Sequence, residues 1–166
     1  MSVTTDIVAT YRGPGRVVAR LIAAGPREDR ALVMLLGGCL VMFIAQWPRL
    51  ARQSYLTGED LQMLMAGSLF GVVFILPLVL YLVALISQGL IRLFGGRSSG
   101  YAARLALFWA LLAASPLMLL WGLVAGFIGE GLELNVTGVL WLAAFLWFWM
   151  AGLRQAGWGV RADAIE

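Results

Sequence analysis

Residue types that do chemistry are scarce in this chain, and their spacing narrows the choice. Glu130 and Glu133 stand three residues apart, so one helical turn would bring both carboxylates to the same face. The sequence has no histidine, and no other ligand type clusters beside them, so the pair reads as a solvated connector rather than a divalent-cation site. The single thiol, Cys39, lies inside an apolar run; it has no intramolecular disulfide partner and reads as a small buried hydrophobe. The chain contains no GxGxxG, GxxxxGK(S/T), CxxC or HExxH pattern, which leaves dinucleotide, P-loop and zinc chemistry without support. No catalytic residue, no cofactor site and no metal ligand is expected, and the chain reads as a non-enzyme.

The remaining polar candidates sit within long apolar stretches: Gln46, Ser68, Ser87, Gln88 and Ser115. Ser115 precedes Pro116 and is placed to bond a carbonyl that the proline frees. Gln88, near the end of its run, could bridge helices or touch headgroups. No Asp, Glu, Lys, Arg or His falls in the centre of an apolar run, where proton pumps and ion-coupled transporters place such groups. A transport reading is therefore confined to a small pore for an uncharged solute, with Ser68, Ser87, Gln88 and Ser115 as its intramembrane polar contacts. Two GxxxG patterns, Gly67 with Gly71 and Gly122 with Gly126, put small residues on one helix face and let a neighbouring backbone approach. Internal packing is the first reading of both, and oligomerisation the second.

These residues need elements to carry them, and composition says which. Of 166 residues, 61% are apolar and 13% charged, whereas soluble domains run near half apolar and about a quarter charged. The apolar runs are long enough for a hydrocarbon core about 30 Å thick. The expected architecture is all-α: a multi-pass transmembrane helical bundle of four spans, preceded by a short interfacial amphipathic helix. Residues 1–30 would form a cytoplasmic N-terminal segment, 31–153 the bundle and 154–166 a cytoplasmic tail.

Within the first segment no apolar stretch is followed by a small-residue cleavage site, so no cleaved leader is expected and the mature chain should begin near Met1. Gly13-Pro14-Gly15 breaks the chain. The helix after it would turn Arg12, Arg16 and Arg20 toward anionic headgroups and dip Val17, Val18 and Leu21 into the acyl boundary. The alternative is an amphipathic helix packed on the rest of the protein.

The first span, about 31–47, opens behind Gly25-Pro26 and is expected to stop at Pro48. Thr57-Gly58-Glu59-Asp60 has the form of a capping box, opening a helix whose embedded part is about 65–90, bent or tilted near Pro77. Two re-entrant segments folded at Pro77 are the alternative for this block. Ser98-Ser99-Gly100 leads into a span at about 106–128 that contains Pro116. The fourth, about 136–153, carries Trp141, Phe145, Trp147, Phe148 and Trp149, read as lipid contacts, interfacial anchors and packing groups.

Charge sets the orientation. All twelve basic residues are Arg, and net charge is +3. In a four-span arrangement ten Arg fall on one side, in the N-terminal segment, the central loop and the tail; Arg49 and Arg52 fall on the other, with Glu59, Asp60, Glu130 and Glu133. By the positive-inside rule both termini are cytoplasmic. Scattered in this way, the Arg residues form no nucleic-acid footprint, and none is expected to bind nucleic acid.

The segment order Gly25-Pro26-Arg27-Glu28-Asp29-Arg30-Ala31-Leu32, then Gly95-Gly96-Arg97-Ser98-Ser99-Gly100-Tyr101 and Ala114-Ser115-Pro116, resembles the bacterial branch of the Yip1-domain family. The resemblance covers nearly the whole chain and implies a small multi-pass protein of the bacterial inner membrane. Eukaryotic relatives are associated with Rab GTPase binding, membrane traffic and membrane shaping, and carry a Tyr-Gly-Pro-type motif. This chain has Tyr11-Arg12-Gly13-Pro14 instead. The expected function is membrane organisation or scaffolding, with membrane lipids as partners. The alternatives are an accessory or assembly subunit of a larger membrane complex, and the small pore. A homo-oligomer is a second partner state open to it.

Overall fold

The computed structural model describes residues 3–96 and 99–159, and these are all-helical. Arg97, Ser98 and the end of the tail, 160–166 with Arg161, lie outside the described residues. The N-terminal segment holds two helices, α1 (Val3–Thr10) and α2 (Pro14–Ala23), packed on each other. Pro14 opens α2, where its locked φ suits the first turn and its missing N–H is one that needs no helical partner.

Helix α3 (Glu28–Thr57) corrects the expected stop at Pro48, because it runs through the proline for another nine residues. Pro48 lies half-buried where Gly126 approaches it, so packing across the missing hydrogen bond supports the backbone. Gly58 ends the helix, with φ 74° in the left-handed region and its N–H donating to Ser54 O at 2.9 Å. The expected capping box is also corrected. Thr57 belongs to α3 and its hydroxyl donates to Gln53 O at 3.0 Å, while Asp60 caps the next helix by accepting from Gln62 N at 2.8 Å.

That next helix is a rod in three parts: α4 (Leu61–Leu69), a π-helical stretch at Phe70–Ile75, and α5 (Leu76–Leu93). A helical proline removes one N–H and crowds the carbonyl four residues earlier. Here the turn ahead of Pro77 widens to the π form, which accommodates the ring while the helix continues. The rod Leu61–Leu93 is unbroken, so the block does not fold back at Pro77.

Ser99 caps α6 (Gly100–Ala113) by accepting from Ala102 N at 3.1 Å, so the helix begins at Gly100, ahead of the span start read from hydropathy. α7 (Ser115–Phe127) follows directly, bent 43° from α6, with Pro116 in its first turn. Last, α8 (Leu132–Trp158) extends beyond the expected span at both ends, so Arg154 lies in a helix and not in a tail.

Three helices, α3, the α4–α5 rod and α8, are long and apolar enough to cross a membrane, and the bent pair α6–α7 makes four if it counts as one. These helices are compatible with membrane insertion. The core centres on α6, which is apolar on every side and almost wholly enclosed. Its alanines, Ala102, Ala103, Ala106, Ala110 and Ala113, let neighbouring helices approach; α3, α5 and α8 pack on it, and α1 and α2 also contact it. Val17, Val18 and Leu21 of α2 are 4%, 1% and 2% exposed within this core. That corrects their expected insertion into the acyl boundary: the apolar face of α2 is already occupied by protein, chiefly α8 and α6.

Candidate functional site

The two GxxxG patterns meet different fates. A Cβ at Gly122 would overlap the carbonyl of Ala45, and one at Gly126 would overlap Pro48, so α7 lies backbone to backbone on α3. A Cβ at Gly67 or Gly71 would meet nothing within 4 Å. Gly67 and Gly71 therefore make no close helix-to-helix approach among the described residues, which corrects their reading as an internal packing motif. Sequence reasoning passed over Gly38 and Gly152. Added Cβ atoms there would come within 3.1 Å of Leu111 Cδ2 and 3.0 Å of Ala106 Cβ, at the crossings of α3 and α8 with α6. Neither belongs to a GxxxG pair that repeats along its helix, which is why the motif search did not reach them.

The polar residues of the apolar runs take local partners. Ser68 Oγ donates to Gln46 Oε1 at 3.2 Å across α4 and α3, and Ser87 Oγ donates to Val83 O at 2.6 Å within its own helix. Gln88, with its amide oxygen turned toward them, accepts from Arg92 Nη2 at 2.9 Å and Gly100 N at 3.1 Å, tying α5 to the start of α6. Ser115 is buried at the break between α6 and α7. Ser68, Ser87 and Gln88 are thus distributed along the bundle with their bonding directed to nearby protein, and Ser115 is enclosed at the α6–α7 break, which is poor preparation for a shared polar lining.

On α8, Trp141, Phe145 and Trp149 form a ladder at four-residue spacing, with ring centroids 5.8 and 5.9 Å apart and interplanar angles of 11° and 28°. The indole Nε1 atoms of Trp141 and Trp149 are buried without a hydrogen-bond partner. Trp147 on the other side of the helix is half exposed. The cluster combines packing against the core with outward aromatic contact.

A buried polar arrangement belongs to the N-terminal hairpin, whose Asp6 and Thr10 are enclosed, and α1 was not read from the sequence. Asp6, 8% exposed, accepts from Arg20 Nη2 at 2.6 Å, fastening α1 to α2. Thr10 is fully buried; its hydroxyl donates to Asp6 O at 2.7 Å and accepts from Trp109 Nε1 at 3.1 Å. Trp109 is 1% exposed in the middle of α6, so this bond ties the hairpin to the centre of the bundle. Tyr11 meets Phe148 edge to face at 5.0 Å, and burial pushes its phenol above the ordinary range. Beyond the hairpin, Glu28 at the start of α3 pairs with Arg104 of α6.

Arg12, Arg16 and Arg20 line one open cleft of about 470 Å³ between α1 and α2, together with Thr5, Val8 and Gly13. Spacing of four residues anticipated their common side. The pairing of Arg20 with Asp6 depends on the turn at Arg12-Gly13, which no periodicity encodes.

Among the described residues, no group of three or more His, Cys, Asp or Glu side chains is arranged to hold a metal ion. No family model, curated protein or solved structure matches the chain.

Proposed function

We propose that this chain is a non-catalytic membrane-organising or scaffold protein, a four-span bundle of the bacterial inner membrane with both termini cytoplasmic, of the Yip1-domain type its segment order resembles. The observation that carries the reading is the division of labour among its helices. α3 and α7 interlock through Gly122 and Gly126, giving a stiff centre. Only 11% of the most apolar window of the α4–α5 rod, and of α8, is buried, against 39% for α3. Rigid packing within and broad apolar faces without suit a body that acts on the surrounding bilayer through shape. Arg12, Arg16 and Arg20 line the open cleft of the hairpin and would meet headgroups of the cytoplasmic leaflet.

A tagged full-length chain isolated in mild detergent, and then reconstituted into liposomes, tests this. Recovery with lipid or with copies of itself, followed by a change in vesicle diameter or curvature on reconstitution, is the expected result. Vesicles indistinguishable from protein-free controls would overturn it. A second reading, an accessory or assembly subunit of a larger complex, is favoured by the bare Gly67 and Gly71 surface, where a foreign helix could approach closely. Recovery of a stoichiometric partner would replace the first reading by the second. The small-pore reading is weaker, because Ser68, Ser87 and Gln88 bond to nearby protein.

A further inference from the structure

We infer that the cleft between α1 and α2 is a binding site for a phosphate group, carried on a lipid headgroup or free in solution. The inference takes from the proposed function only the cytoplasmic position of the hairpin. Three guanidinium groups, those of Arg12, Arg16 and Arg20, line one cleft, and no carboxylate is among its described lining residues. Asp6 pairs with Arg20 from α1, and Arg12 and Arg16 form no ion pair with a carboxylate among the described residues.

The rest of the cleft suits the same ligand. Gly13, which lines it, precedes the first turn of α2, and that helix end has no side-chain cap. The positive end of the α2 dipole therefore adds to the arginine field. A Cβ at Gly13 would lie 2.9 Å from Arg16 Nε and 3.0 Å from Nη2, so the absent side chain lets the Arg16 guanidinium lie against the turn. Planar guanidinium forks match phosphate oxygens two at a time, which an ammonium cannot do.

The base of the cleft is held in place. Arg20 is fixed by Asp6, and Thr10 is tied to Trp109 in the core, so little ordering remains when a ligand enters. Val8, 63% exposed, stands at the rim and offers an apolar edge to the glycerol or acyl portion of a lipid.

The experiment uses the full-length chain in uncharged maltoside micelles, titrated calorimetrically with inorganic phosphate, with dihexanoyl phosphatidic acid, and with dihexanoyl phosphatidylcholine as the zwitterionic control. Saturable binding of phosphatidic acid, inorganic phosphate or both is expected, at least tenfold weaker in R12A/R16A and unchanged in R49A. R12K/R16K, which keeps charge and loses the fork, should fall between, and it serves as the reading should R12A/R16A fail to fold. Binding of phosphatidic acid alone assigns the site to a headgroup. Binding of inorganic phosphate with the same arginine dependence assigns it to the phosphate group whatever its carrier. Absence of binding by both probes, or equal weakening in R49A, would overturn the proposal. Because no vesicle is involved, failure here leaves the membrane-organising reading standing, and failure of vesicle remodelling leaves the cleft standing.

Discussion

At the scale of single residues, the hairpin depends most on a bond that joins positions 99 residues apart. Trp109 Nε1 donates to Thr10 Oγ1 at 3.1 Å in a site with no access to water, and the Thr10 hydroxyl in turn donates a hydrogen bond to Asp6 O. A buried hydrogen bond of this kind contributes about 1 kcal/mol net, and an unsatisfied partner costs about 1–3 kcal/mol. Trp109→Phe keeps most of the ring volume and removes the donor. Amide hydrogen exchange across Val3–Thr10 is expected to quicken by about tenfold, with little change in the exchange of α3; equal rates in variant and parent would show that α1 is held by packing alone. The Asp6–Arg20 pair is less exposed on the acid side than on the base, 11% against 46%, so solvent screens it and its contribution is about 1 kcal/mol at most.

At the scale of elements, identical motifs have unequal weight. Gly122 faces the Ala45 carbonyl and Gly126 faces Pro48, whereas a Cβ at Gly67 or Gly71 would meet none of the described residues within 4 Å. Gly122→Ala should force α7 away from α3 and cost about 1–3 kcal/mol, as overpacking does. Gly67→Ala and Gly71→Ala should leave the thermal midpoint in detergent unchanged or slightly raised, since alanine is the better helix former. Equal destabilisation by all the substitutions would show that the rod packs elsewhere in solution. Proline shows the same dependence on surroundings. Pro48 sits inside α3, Pro77 follows a π stretch, and Pro116 begins a bent segment. One local rule predicts a break at each, but neighbouring helices decide whether the chain stops, widens or bends.

For the whole molecule, the arrangement of charge makes a statement about topology that labelling can check. In the four-span reading, cysteines placed singly at Ser54 and Glu130 in a Cys39→Ala background should react with an impermeant maleimide added outside intact cells. Cysteines at Ala24 and Phe94 should react only after permeabilisation. If α6–α7 does not cross, Glu130 shifts to the inner side and its labelling reverses. The enclosed α6, with Leu105, Phe108 and Trp109 each at most 1% exposed, explains why this last segment is hardest to place by hydropathy: its apolar surface faces protein on every side, so the signal for a span and the signal for a core coincide.

The helical class, the long apolar runs, the helix starts near Pro14, Glu28 and Ser99, and the common side of Arg12, Arg16 and Arg20 were all legible from order and type alone. They depend on periodicity and on caps, which act within a few residues. Tertiary structure alone decided that α2 lies on α8 and α6, that α3 continues past Pro48, and that one GxxxG pair is packed and the other bare. An apolar face records only that something must cover it. Protein and lipid tails are equally apolar to a valine, so the choice between them rests on which helices come within reach.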